Sequence, residues 1–134
     1  MTFMPMSGVE TTEFDWGTIG WVARPDNVPE CKGMCALDVR LDPGQGHDFH
    51  THPEQEEIII LKSGSMEQWI EDKMMVLNPG DACFVPKNTV HASFVDADAG
   101  EPAVITVVLS PSHGEEGYYA HDVSTEEPWA SIRS

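Results

Sequence analysis

The sequence is short of positive charge: 7 Lys and Arg stand against 23 Asp and Glu, a net charge of −16. Phosphate backbones are gripped by clustered Lys and Arg, so this deficit argues against nucleic acid as a partner. It argues equally against an anionic membrane surface. Long apolar runs are missing, and none approaches the roughly 20 residues that a membrane span needs. Met1 to Glu10 carries neither a basic segment nor a long apolar one, so no secretory leader is expected and the expected location is cytoplasmic. Cysteine is scarce, with Cys31, Cys35 and Cys83 only. An odd, sparse count is no disulfide framework, and no Cys or His pair stands nearby to complete a structural zinc site. Reduced thiols are the expectation. No long 3.6-residue period is present either, which leaves no amphipathic helix to build on.

What the sequence does contain is punctuation. Eleven Gly and ten Pro are spread between short apolar runs, the pattern of many short strands joined by tight turns. In Met34 to Leu41 the residues Cys35, Leu37, Val39 and Leu41 fall on one face, the two-residue period of a half-buried strand. Further strands are expected at Thr18 to Ala23, Phe49 to His52, Glu57 to Lys62, Ser65 to Glu71, Met74 to Leu77, Ala82 to Val85, Val90 to Val95 and Val104 to Leu109. From Ser110 the chain reads as an extended tail, with a capping-box pattern for one helical turn at Ser124-Thr125-Glu126-Glu127. A length of 134 residues suits a single domain over residues 1–134, with its core at about 34–109 and its tail at 110–134. The expected fold class is all-β, a closed antiparallel barrel or a two-sheet jelly roll with extended termini.

Six histidines occur, at 47, 50, 52, 91, 113 and 121. His50 and His52 are two apart in one strand, so their rings leave the same face. Glu57 opens the next strand, with Ile59 and Leu61 on its face, while Glu56 faces the other way. His91 lies in a distant strand and shares parity with Ser93, which can therefore line the same space. Imidazoles and a carboxylate converging from rigid strands suit Fe, Mn, Co, Ni, Cu or Zn rather than calcium. His47 reads as a loop residue at the mouth of the barrel, on the surface or against substrate. His113 and His121, in the tail, have no expected role. Met66, Trp69, Met75 and Phe84 read as core packing.

These residues carry a resemblance to the cupin superfamily. Its first motif is matched by Gly44, His50, His52, Glu57 and Gly64 at their proper spacings. Its second is matched by Gly80, Pro86 and His91. Asn88 replaces the turn glycine, a tolerable exchange because Asn enters the left-handed region readily. Val95 replaces the final Asn. The resemblance, to small single-domain cupins of the conserved-barrel type, implies a jelly-roll barrel around one divalent transition metal ion. Carried over residue by residue, its ligands are His50, His52, Glu57 and His91.

Three histidines and a glutamate leave about two octahedral positions open, as in a catalytic site. The resemblance then implies a metal-dependent enzyme on a small polar metabolite, with dioxygenase-type chemistry slightly ahead. A redox-silent ion working as isomerase or lyase on a sugar or uronic acid is the alternative. A non-catalytic small-molecule or metal-binding module is the other. The acidic charge favours a neutral or metal-chelating substrate. Trp16, Trp21, Tyr118, Tyr119 and Trp129 near the chain ends suit a homodimer interface, or else a cover for the chain's own barrel.

Overall fold

The computed structural model describes residues 2–133. Eleven strands are present among them: β1 Thr11–Phe14, β2 Gly17–Ala23, β3 Cys35–Leu41, β4 Gly46–Thr51, β5 Glu56–Ser63, β6 Met66–Ile70, β7 Lys73–Leu77, β8 Ala82–Val85, β9 His91–Phe94, β10 Ala103–Ser110 and β11 His121–Asp122. They form two antiparallel sheets, one in the order β1-β2-β3-β10-β5-β8 and the other β11-β4-β9-β6-β7. The two sheets pack face to face as a jelly roll; their ladders do not join into one closed barrel. No helix among the described residues is long and apolar enough to cross a membrane.

Alternation builds the first sheet. In β3 the residues Cys35, Leu37, Val39 and Leu41 are buried, as their period requires. β10 buries Ala103, Ile105, Val107 and Leu109, and β5 buries Glu57, Ile59 and Leu61 while Glu56 stays exposed. β10 pairs with β3 on one side and β5 on the other, so these faces form one continuous aliphatic surface. Each fully buried Leu or Ile there contributes about 1.5–3 kcal/mol. Turns are set by backbone demand. Gly64 has φ 82° and lies against the Pro102 carbonyl, where a Cβ would collide. Asn88, at the turn glycine's place, has φ 56°.

Several expectations are corrected. Phe84 and Met75 are not core residues: they are 54% and 65% exposed, on β8 and β7 at the outer edges of the two sheets. Edge strands bury one face at most, and β7 buries only Leu77. Met66 is buried and Trp69 is half-buried, edge-on to Phe49. No helical turn forms at Ser124; turns fill that stretch, with the Ser124 N–H donating to the Asp122 carboxylate. The terminal aromatics largely cover their own chain. Tyr118 packs on Trp21, Trp129 stacks on Phe49, and Tyr119 remains exposed. The three cysteines are free. Burial pushes the Cys35 thiol up to about 12.

Candidate metal centre

His50 lies in β4, His52 just beyond its end, His91 at the start of β9 and Glu57 near the start of β5. The first three rest on the second sheet and Glu57 reaches them from the first. All four are at most 5% exposed. One ring nitrogen from each histidine lies within 4.8 Å of the others. Glu57 bridges the group, with Oε2 3.2 Å from His52 Nε2 and Oε1 3.1 Å from His91 Nε2. The four residues expected from the motifs are thus brought together.

Ring orientation is set from behind. His50 Nδ1 lies 2.6 Å from the Asp48 carbonyl, His52 Nδ1 2.9 Å from that of Tyr119, and His91 Nδ1 2.9 Å from that of Thr89. A carbonyl oxygen only accepts, so each Nδ1 carries the proton. Each neutral ring then turns the lone pair of Nε2 toward the others, the tautomer a metal-binding histidine needs. His91 Nε2 is buried and has no hydrogen-bond partner, despite the nearby Glu57 oxygen. Two lone pairs that close repel unless a proton or a metal cation lies between them. This orphaned atom, with three imidazoles and a carboxylate around it, fits a divalent transition metal.

The charges agree. Burial opposes ionisation of Glu57, but His91 and His52 hold its carboxyl far below the usual carboxylate range. Burial also opposes charge on His52, yet Glu57 and the Tyr119 carbonyl together raise its pKa. Burial first, and then its neighbours His91 and His47, keep His50 neutral.

One residue was misread from sequence. His47 is no surface loop residue. It lies in β4, half-buried, and lines the cavity. Its ring stacks on His50 at 3.7 Å and on Trp16 at 4.1 Å. Strand parity counted from His50 points His47 outward, but the β4–β9 register shifts between the two residues. This bulge returns His47 to the inner face. Burial, reinforced by His91 and His52, lowers its pKa to about 3. The sequence carried no clear signal of the bulge beyond Gly46, whose hydrogen side lies against Phe94.

Ser93 also lines the cavity, and its hydroxyl donates to Gln68 at 2.6 Å. The space is small, about 40 Å³. Opposite the histidines it is walled by aliphatic side chains, among them Leu37, Val39, Ile105 and Val107. His113 and His121 lie outside it; His113 is 3.9 Å from Glu54 and His121 pairs with Thr51 in the β11–β4 ladder.

The family model described as "Cupin domain" matches residues 37–109. The chain belongs to the cupin family. Among solved structures, this cupin is similar to KdgF from a Halomonas species, at 20% identity over 86% of this chain and 99% of that one, with a TM-score of 0.72. It is similar to the polyketide cyclase RemF from Streptomyces resistomycificus, at 18% identity over 100% of this chain and 94% of that one, TM-score 0.76. An oxalate decarboxylase from Lactobacillus farciminis aligns at 19% identity over 90% of this chain but 35% of its own, TM-score 0.75. At such identities the likeness is one of fold. No curated protein matches this cupin.

Proposed function

We propose that this cupin is a metal-dependent enzyme of dioxygenase type, acting on a small, polar, metal-chelating metabolite. The orphaned Nε2 of His91 carries this reading, set among two further imidazoles and the Glu57 carboxylate. His50, His52, Glu57 and His91 would hold one divalent ion (Fe, Mn, Ni, Co, Cu or Zn). Bound there, a redox-active ion supplies activation of dioxygen beside a chelated substrate. The rest falls to the protein. The aliphatic wall excludes bulk water and accepts apolar atoms. His47, neutral at physiological pH, can donate its ring N–H to a substrate oxygen. Net charge disfavours a free polyanion as substrate. The reading takes the 134 residues as one cupin unit, a cytoplasmic homodimer; free thiols support the compartment and exposed Tyr119 offers contact area.

A second reading, non-redox chemistry of isomerase or lyase type, is favoured by His47 itself: it is a neutral imidazole in the cavity, outside the ligand set, whose N–H can polarise a carbonyl. The similar folds named above include a cyclase and a decarboxylase.

The experiment is metal content by elemental mass spectrometry, followed by oxygen uptake of the Fe(II)-loaded protein with catechols, enediols and mercapto acids. About one ion per chain and substrate-dependent uptake, both lost in His91→Ala, are expected. Full metal loading with solvent deuterium incorporation but no oxygen uptake transfers the assignment to the second reading. Ligand-induced stabilisation without any turnover leaves a binding module.

A further inference from the structure

The segment from Pro111 to Tyr119 crosses from the end of β10 to the start of β11 as a strap against the metal centre. Tyr118 lines the cavity and the Tyr119 carbonyl accepts from His52 Nδ1. One buried side chain fastens it. Gln55, 2% exposed, stands between His52 and Glu57 in the chain. Its Nε2 donates to the Pro111 carbonyl at 2.6 Å and to the Gly117 carbonyl at 2.9 Å. Its Oε1 accepts from the Tyr119 N–H at 3.1 Å. All three bonds go to the strap's main chain, and the last holds the residue that orients His52. Gly117 is pressed so close that a Cβ there would meet Cys35 Sγ at 2.6 Å, so strap and sheet fit in one seating.

We infer that Gln55 is a positioning residue for the metal centre: it seats the strap, the seated Tyr119 carbonyl fixes the His52 ring, and metal affinity is thereby coupled to strap docking. The inference rests on the reading of His50, His52, Glu57 and His91 as ligands. Partners that orient a ligating histidine typically govern metal affinity by about 10–100-fold. Coupling is reciprocal, so a bound ion tightens the strap by the factor that the strap tightens the ion.

Gln55→Met keeps the volume and removes all three bonds. The test is Co(II) titration followed by the visible absorption of the bound ion, with amide hydrogen exchange over residues 112–119. Gln55→Met is expected to bind Co(II) about 10–100-fold more weakly, with a shifted visible band and faster strap exchange. In the wild-type protein, which needs no variant to fold, Co(II) is expected to slow exchange of the strap amides while those of β3 and β10 stay unchanged. Wild-type protein that takes up no Co(II) overturns the ligand reading and this inference together. Wild-type protein that binds Co(II) without slowing the strap overturns the inference alone. So does a Gln55→Met protein whose strap exchanges freely while affinity and visible band match wild type.

Discussion

Of the two sheets that face the cavity, one lays down Leu37, Val39, Ile105 and Val107, and the other lays down His47, His50, His91 and Ser93. The first keeps the two-residue period throughout, and the second keeps it except at the bulge between His47 and His50. The first uses it to pack, with side chains that need only shape. The second uses it to coordinate, with side chains that each need a hydrogen-bond partner behind them, and each ligand ring has one in a main-chain carbonyl. Glu57 is the exception that joins the two, a carboxylate on the aliphatic sheet aimed at the histidines of the other. Burial on the first sheet stabilises the fold directly, whereas burial on the second is tolerable only because its polar atoms are satisfied or await a cation.

That division can be broken residue by residue. The largest effect is expected from His91→Ala, which removes metal to near background by elemental mass spectrometry, roughly 100-fold or more in affinity. His113→Ala, outside the cavity, keeps the wild-type content. Equal loss in both would end the distinction between the histidines. Next comes Leu41→Ala on the aliphatic sheet, where Leu41 is 1% exposed. Denaturant unfolding should show a loss of about 2–5 kcal/mol, with metal stoichiometry unchanged in the folded protein. Ser93→Ala sharpens the comparison, since it alters the polar sheet without touching a ligand. The bond to Gln68 is lost, and unfolding should report about 1–2 kcal/mol, again with metal retained. Loss of metal in Ser93→Ala would show that the whole polar face acts as one unit.

The smallest effect lies outside both faces. Glu67 pairs with Arg133 at 2.6 Å, at side-chain exposures of 28% and 44%. Burial opposes its charge, but Arg133 and the Trp69 indole N–H lower its pKa below the ordinary value. A depressed folded-state pKa gives stability that is present above the unfolded value and lost as pH falls through the folded one. Glu67→Gln should therefore cost no more than about 0.5 kcal/mol at neutral pH, and the difference from wild type should vanish in acid. Thermal melts at neutral pH and under acid conditions read both arms.

The fold was legible where alternation coincides with burial. β3 and β5 are each buried on the face their pattern names, and the motif spacing named the four residues that meet at the centre. It was illegible where main chain does the work. β1 and β11 are short and largely exposed, and they join their sheets through backbone pairing with no apolar signal. The carbonyls of Asp48, Thr89 and Tyr119 behind the histidines belong to every residue type, so no letter announces them. Met75 and Phe84 were misread for a different reason: apolar side chains at sheet edges look the same in sequence as those at the centre. His47 escaped because the expected strand began at Phe49, whereas β4 starts at Gly46 and carries a bulge between His47 and His50.

That bulge changes what the spacing in the motif means. The five letters between Gly44 and His50 count more than distance, because one of them is the extra residue that lets both His47 and His50 face inward. Straighten β4 without losing a letter, and the odd spacing of three from His47 to His50 puts the two on opposite faces, since side chains switch faces with every residue. His47 would swing to the outside and the stack from Trp16 to His50 would come apart. A chain with the same letters and a straight β4 keeps its histidines in name and is, between its two sheets, a differently furnished protein.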